Sequence, residues 1–356
     1  MRLTLLPRSD ARAIRDTSRG DVAHPNQDSA LAARWGLLLV LGVAGCNSTP
    51  TGPTPTPTPN VPTHSVSVVV FFDENENGNL DPQELGRLPD VEVQIGGRIG
   101  VSVIGSGTAV VPGVPEGDQT ASVVLASLPM FFEAGEPRSV SVPATAPLEI
   151  PVIRPVGTNI KHAYMAAGDS ISEGFGSSSG EGYRRLLARR LEVHWGPQAF
   201  VWYPGPGGGT SEDGLERIDN DLVNERPAYT FVQWGVNDWL NIECQADPTA
   251  CDVLANLRAI LDRVRAANSK PVLATITPTN VGASEQAPPE REEWVRLLNE
   301  EIRALALEQG ALLVDVHAAM VAAGPTAALF ADHVHPNDAG YEVIADAYFR
   351  AITGRR

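Results

Sequence analysis

The chain has 356 residues, 43% of them hydrophobic and 20% charged, a composition that excludes a fibrous or wholly disordered protein and suffices for two domains. Its 43 acidic residues against 27 basic ones leave a formal charge of −16, a field that repels phosphate backbones and excludes nucleic acid as a partner. The longest apolar run, Trp35 to Ala44, is ten residues, against the roughly 20 that span a bilayer, so a polytopic membrane protein is excluded as well.

Residues 1–46 read as an export segment. Arg34 precedes the apolar run and small residues end it, the order of a bacterial signal. The ending Val43-Ala44-Gly45-Cys46 resembles a lipobox, which implies cleavage behind Gly45 and lipid on Cys46. Residues 47–64 are dominated by alternating Thr and Pro, which favour extended polyproline II and make a semi-rigid spacer. The chain is therefore expected to be exported and held at the bacterial envelope or surface by a lipid anchor alone.

Residues 65–155 change character. The runs Val66–Phe72, Val91–Ile95 and Val140–Val142 are β-branched or alternate with period two, and Gly and Pro punctuate them. That pattern predicts a small antiparallel all-β sandwich. Directly after the first run, the twelve residues from Asp73 to Glu84 fit the calcium-loop pattern D-x-[DN]-x-[DN]-G-x5-E. Asp73, Asn75, Asn77, Asp81 and Glu84 offer side-chain oxygens, Asn79 offers its backbone carbonyl, and Gly78 permits the sharp turn. The flanks are strand-like, which excludes an EF-hand. A calcium loop set in β structure resembles the SdrD B-like domains of bacterial surface proteins, and that resemblance implies an Ig-like sandwich with a structural Ca2+.

Residues 156–356 alternate strands with helices. Tyr164–Ala167, Tyr229–Val232, Val272–Ala274 and Leu312–Val314 are apolar runs, each followed by a loop and a helix-period segment. Leu257, Ile260, Leu261 and Val264 form one apolar stripe, as do Tyr341, Ile344, Ala345, Tyr348 and Phe349. Repeated β-then-α predicts a parallel sheet covered by helices on both faces, a three-layer α/β/α body.

Four short blocks on this body carry chemistry. Gly168-Asp169-Ser170 directly follows the first strand, so Ser170 sits where α/β sheets place ligands. Gly205 to Thr210 is a glycine-dense loop leading into a helix, able to bring N–H donors close to a bound group. Gly235-Val236-Asn237-Asp238 ends a second strand, and the Asn237 amide is a neutral donor suited to a developing oxyanion. Asp332-His333-Val334-His335-Pro336 precedes the last helix, with a carboxylate three residues before an imidazole that it can orient.

Together, and in this order, the blocks resemble those of the GDSL/SGNH hydrolases over roughly residues 160–355. The resemblance implies a flavodoxin-like sheet and carboxylic ester hydrolysis without a catalytic cofactor. It assigns Ser170 as nucleophile, His335 as general base and Asp332 as the orienting carboxylate. The oxyanion hole falls on Ser170 N–H, Gly208 N–H and the Asn237 side chain, the run of glycines leaving the register at Gly208 open by one. Tyr203 stands where many members carry Asn. Asp169 and Asp238 are expected to hold their loops, and His162, His194, His317 and His333 to be structural. Cys244 and Cys251 are expected to pair in an exported chain and to be free thiols in a reducing compartment.

The partner is thus an ester, either an acylated glycan or a lipid. Deacetylation of carbohydrate, lysophospholipase or thioesterase action on the same triad, and an inactive surface adhesin or glycan-binding protein remain as readings. The intact Ser170, Asn237, Asp332 and His335 argue against the last.

Overall fold

The computed structural model describes residues 61–355, apart from positions 198, 203, 204 and 206 and the side chains of 199–202. The export segment, Cys46, most of the Thr/Pro spacer and Tyr203 lie outside the described residues.

The first part is all β: β1 (Thr63–Phe72), β2 (Glu92–Ile95), β3 (Arg98–Val101), β4 (Thr108–Pro115), β5 (Gly117–Val123), β6 (Glu133–Ala134), β7 (Arg138–Val142) and β8 (Leu148–Ile153). They form two four-stranded sheets in the orders β4-β1-β8-β6 and β3-β2-β5-β7. Alternation explains the core: Val66, Val68 and Val70 of one sheet and Val93, Ile95 and Ala121 of the other are fully buried. One expectation needs correcting. The sheets are not wholly antiparallel, because β8 returns from beside the second sheet and pairs parallel to β1, Val68 opposite Leu148 through Phe72 opposite Val152.

The second part runs β9 (Ile160–Gly168), α1 (Ser170–Glu173), α2 (Gly182–Trp195), β10 (Ala199–Trp202), α3 (Ser211–Glu225), β11 (Pro227–Gln233), α4 (Ile242–Gln245), α5 (Val253–Ala266), β12 (Lys270–Ala274), α6 (Pro289–Glu308), β13 (Leu312–Val314), α7 (Val316–Ala323) and α8 (Asp338–Thr353). Its five strands lie in the order β10-β9-β11-β12-β13, and every neighbouring pair is parallel. β11 is buried at all seven positions, as a strand covered on both faces must be. Helices α2 and α8 pack together through stacked Tyr183 and Tyr348, whose ring meets Phe231 of β11 at 5.1 Å. Helices α3 and α5 pack together in the same way, and the predicted stripe Leu257, Ile260, Leu261 and Val264 is fully buried. In this strand order the direction of winding reverses between β9 and β11, and the crevice beyond their carboxyl ends is the place for a ligand.

The two parts pack as one compact unit, Pro59–Arg356. The β sheets meet the parallel sheet at its amino end. Arg154, fully buried just after β8, lies 4.8 Å from the ring centres of Phe72 and Tyr229 and 5.1 Å from Phe132, and donates to the Lys161 carbonyl. Around it, Glu74 meets His162 and Glu76 meets Lys161, each at 2.6 Å, and the Arg87 N–H donates to the Trp195 carbonyl at 3.0 Å. His162 and Tyr229 are each the third residue of their strand, so this junction lies at the end of the sheet opposite Ser170.

The loop from Asp73 to Glu84 is a self-bonded turn. Buried Asp73 accepts from the Asn77 and Gly78 N–H groups, and buried Glu84 accepts from those of Glu74 and Asp81. Asp81 accepts from both the Asn75 and Asn77 amides at 2.8 Å, while Asn79 bonds back to Asn77. The predicted ligands are thus gathered in one turn, but their oxygens serve the turn's own donors. Among the described residues, no group of three or more His, Cys, Asp or Glu is arranged to hold a metal.

Candidate active site

The carboxyl end of β9 builds the centre of the site. A Cβ on Gly168 would lie 2.1 Å from Ser172 Oγ and 2.7 Å from the Gln233 carbonyl oxygen, so only glycine fits where β9 meets β11. Asp169 then caps α1, its carboxylate accepting from the Ile171 N–H at 2.9 Å. Ser170 opens the helix and remains largely buried.

The loop before α8 supplies the imidazole. His335 Nε2 lies 3.0 Å from Ser170 Oγ, and its Nδ1 lies 2.7 Å from Asp332 Oδ2. The other oxygen of Asp332 accepts from the Val334 and His335 N–H groups, both at 2.8 Å. Partial burial pushes the Asp332 carboxyl up, but these three hydrogen bonds outweigh it and hold the group below its usual range. Asn280, in the loop after β12, fixes the same turn by donating its amide to the Asp332 carbonyl and its N–H to the His333 carbonyl, both at 3.0 Å. From α8, the Tyr341 hydroxyl donates to the carbonyls of Ile171 (3.2 Å) and Phe175 (2.7 Å), tying the last helix to the turn that carries Ser170.

The other strand end brings the amide. Asn237 is buried and donates to the Gly209 carbonyl at 3.0 Å, which ties it to the glycine-dense loop one residue beyond Gly208. Gly208 is exposed, at φ +82°. Asp238 steadies the arrangement by accepting from the Ser211 N–H and hydroxyl at 3.0 and 2.7 Å, while Asn256 donates to that hydroxyl at 3.0 Å. Buried Arg291 donates to the Val236 carbonyl at 3.0 Å and holds the residue before Asn237. A short loop closes beside these groups: Cys244 and Cys251 are joined, with Cα atoms 5.4 Å apart, and Trp294 Nε1 donates to the Cys244 carbonyl.

Ser170, Asn237, Asp332 and His335 therefore share one end of the sheet, as their blocks predict. Four other histidines are held elsewhere or by other partners. His317 bonds Glu292 at 2.9 Å, His162 bonds Glu74, and His333 holds its loop through its carbonyl. His194 is buried against Trp195 and Phe349, and burial pushes it down to about 4. Sequence reasoning missed Asn280, Tyr341, Arg291 and Phe175. Of these only Phe175 carries a local sign, the glycines on either side of it.

Chemically, a hydroxyl bonded to an imidazole that is held by a carboxylate can be deprotonated as it attacks, and amide donors beside it can meet the resulting oxyanion. Residues 166–343 match the family model described as GDSL-like lipase/acylhydrolase. An acetylxylan esterase of Geobacillus stearothermophilus is 29% identical over 204 residues, 52% of this chain and 91% of that protein. Thioesterase 1/protease 1/lysophospholipase L1 of Escherichia coli K12 is 34% identical over 119 residues, 33% of this chain and 53% of the relative. Among solved structures, an acetylxylan esterase of G. stearothermophilus is 23% identical with a TM-score of 0.45, over 54% of this chain and 96% of that one. A hydrolase from the metagenome of Lake Arreo, Spain, is 25% identical with a TM-score of 0.43, over 55% and 97% of the two chains.

The buried carboxyl of Asp169, next to Ser170, gives a pH signature. Burial pushes Asp169 up to about 7; the Ile171 N–H opposes this and the neighbouring Asp238 adds to it. Between its ordinary value of 3.8 and about 7, Asp169 is protonated in the folded chain and ionised in the unfolded one. Folding therefore takes up a proton in that window, and the contribution to stability falls as pH rises through it. Asp169→Asn keeps an acceptor for Ile171 without titrating. Melting temperatures from pH 4.5 to 7.5 are expected to show wild type losing ground to the variant as pH rises; parallel curves would overturn the assignment.

Proposed function

The chain belongs to the GDSL-like lipase/acylhydrolase family and is a serine hydrolase acting on carboxylic esters, and on that premise we propose that Ser170, His335 and Asp332 are its catalytic triad. The observation that carries the assignment is the unbroken hydrogen-bonded line from Asp332 through His335 to Ser170. In this reading His335 takes the Ser170 proton as Oγ attacks the ester carbonyl, and Asp332 stabilises the imidazolium. The Ser170 N–H, the Gly208 N–H and the Asn237 amide receive the charge of the tetrahedral oxygen. His335 then protonates the departing alkoxide, leaving an acyl-serine. Water, deprotonated by His335, repeats the sequence and frees the acid. The chemistry requires no metal or organic cofactor.

With an aryl acetate as substrate, Ser170→Ala and His335→Ala are each expected to remove nearly all turnover, since nucleophile and base act as a unit. Asn237→Ala is expected to lower kcat by about 10²–10³ with a smaller effect on KM, as for a donor aimed at a transition-state oxygen. Wild-type turnover in a folded Ser170→Ala protein would overturn the triad.

For the natural ester we propose an acetylated carbohydrate. The support is the relative named acetylxylan esterase, whose likeness runs over 204 residues against 119 for the thioesterase and lysophospholipase.

For residues 65–155 we propose an Ig-like sandwich of the SdrD B-like kind, with Ca2+ replacing the self-bonded arrangement of the loop from Asp73 to Glu84. The two four-stranded sheets and the loop spacing support it. An ion bound only by the folded state stabilises it. The melting temperature is therefore expected to rise in calcium over chelator, and Glu84→Ala to abolish the rise; no rise in wild type would remove the ion.

Export and lipid attachment at Cys46 are likewise proposed, from the lipobox and the Thr/Pro spacer. Cys46→Ser should move the protein from the membrane fraction to the soluble one, and undiminished membrane retention would refute the anchor.

A further inference from the structure

We propose that Phe175 is the platform on which the alcohol half of the ester stacks, and that it selects a ring-shaped, hydroxyl-bearing alcohol such as a pyranose. The proposal rests on the acyl-transfer reading above, because that reading fixes which side of the site the alcohol occupies. His335 must hand its proton to the leaving oxygen, so whatever flanks the imidazole flanks the alcohol, while the oxyanion donors Gly208 and Asn237 flank the carbonyl.

The Phe175 ring lies against that imidazole, centre to centre 4.5 Å and tilted by 54°. It is 57% exposed. A single exposed apolar side chain needs no explanation by itself. What distinguishes this one is how firmly it is presented. Gly174 and Gly176 on either side have φ of +102° and +90°, a region that other residues adopt only with strain. A Cβ on Gly176 would stand 2.6 Å from the Pro336 carbonyl oxygen and 3.1 Å from His335 Cβ, so the turn is pressed against the loop that carries the base. The Phe175 N–H donates to the Ser170 carbonyl at 3.0 Å, and its own carbonyl accepts from the buried Tyr341 hydroxyl at 2.7 Å. The main chain is fixed on both sides while the ring stays open to solvent.

Two residues further along the chain the surface turns polar, joined to Phe175 through Tyr341. A groove of about 220 Å³ is lined by Ser177, Ser178, Ser179, Arg185, Asp338 and Glu342, and Tyr341 forms part of its wall. A sugar ring has apolar C–H faces and a hydroxyl rim. The Phe175 ring, with a groove of hydroxyls, carboxylates and the guanidinium groups of Arg185 and Arg189 following it along the chain, offers a partner to each part. An unbranched alkyl alcohol would use only the ring.

The test holds the acyl group constant and varies the alcohol. Full-length wild type, Phe175→Ala, Phe175→Leu and Phe175→Trp are assayed on a mono-acetylated methyl xyloside and on ethyl acetate. The ratio of kcat/KM for the sugar ester over ethyl acetate is expected to fall about tenfold in Phe175→Ala, the scale of one good aromatic contact. The fall should be carried by KM for the sugar ester, should persist in Phe175→Leu, and should be repaired in Phe175→Trp. An unchanged ratio in Phe175→Ala would overturn the platform. So would equal losses on both esters with a shifted pH profile of kcat/KM, which would make the ring a support for His335 alone. Wild type that hydrolyses ethyl acetate but not the sugar ester would overturn the sugar preference and leave the triad standing. Failure on both esters would overturn the acyl-transfer reading itself.

Discussion

The parallel ladder between β9 and β11 sets Gly168 opposite Gln233, and the site depends on that register. Because the two strands end level, Ser170 and Asn237 leave the sheet side by side, two and four residues later. A slip of one residue would turn every side chain of β9 to the opposite face, and with it the buried tyrosine and methionine that anchor the strand. Gly168 makes such a slip costly, since the space for its missing side chain is already taken by Ser172 and the β11 backbone. The loop with the base is then brought to the strand end from the far end of the sequence. One hydroxyl, that of Tyr341, ties α8 to a carbonyl within the helix that Ser170 opens and to another just beyond it.

How much of this was legible in the sequence depended on range. The four residues proposed to react lie in short blocks whose local chemistry announces them, because a turn that exposes a serine or aims an imidazole must be built from its immediate neighbours. Gly168, Asp169 and the Asp332–His335 spacing are of this kind, and each stands where its block predicts. The apolar stripes of α5 and α8 were readable for a similar reason, since periodicity is a local property. The parallel pairing of β8 with β1 was not, because it joins strands some eighty residues apart and no local pattern encodes a partner. Asn280 was equally hidden: an asparagine in a loop looks the same whether or not its amide meets a carbonyl 52 residues away. The loop from Asp73 to Glu84 shows a different limit. Its spacing is that of a cation site, yet the same oxygens can satisfy the turn's own N–H groups.

Arg154 governs the other end of the molecule. A guanidinium removed from water needs partners for its charge, and here it has the faces of Phe72, Phe132 and Tyr229 and a backbone carbonyl. Those rings come from both parts of the chain, so the cation holds the β sheets to the parallel sheet at the point where one continues into the other. The Glu74–His162 and Glu76–Lys161 contacts attach the acidic turn to the first residues of β9. The nine residues of β9 then run from that junction to the Ser170 end of the sheet, roughly 30 Å away.

Placing the two parts at opposite ends of one strand has a consequence for scale. The β sheets meet the parallel sheet at the end away from Ser170, a strand's length from it. A change at the junction reaches the Ser170 end along elements that have one end there, β9 and β11 in the sheet and α2 beside it. One strand thus carries a buried cation's junction at its first residues and Ser170 just past its last.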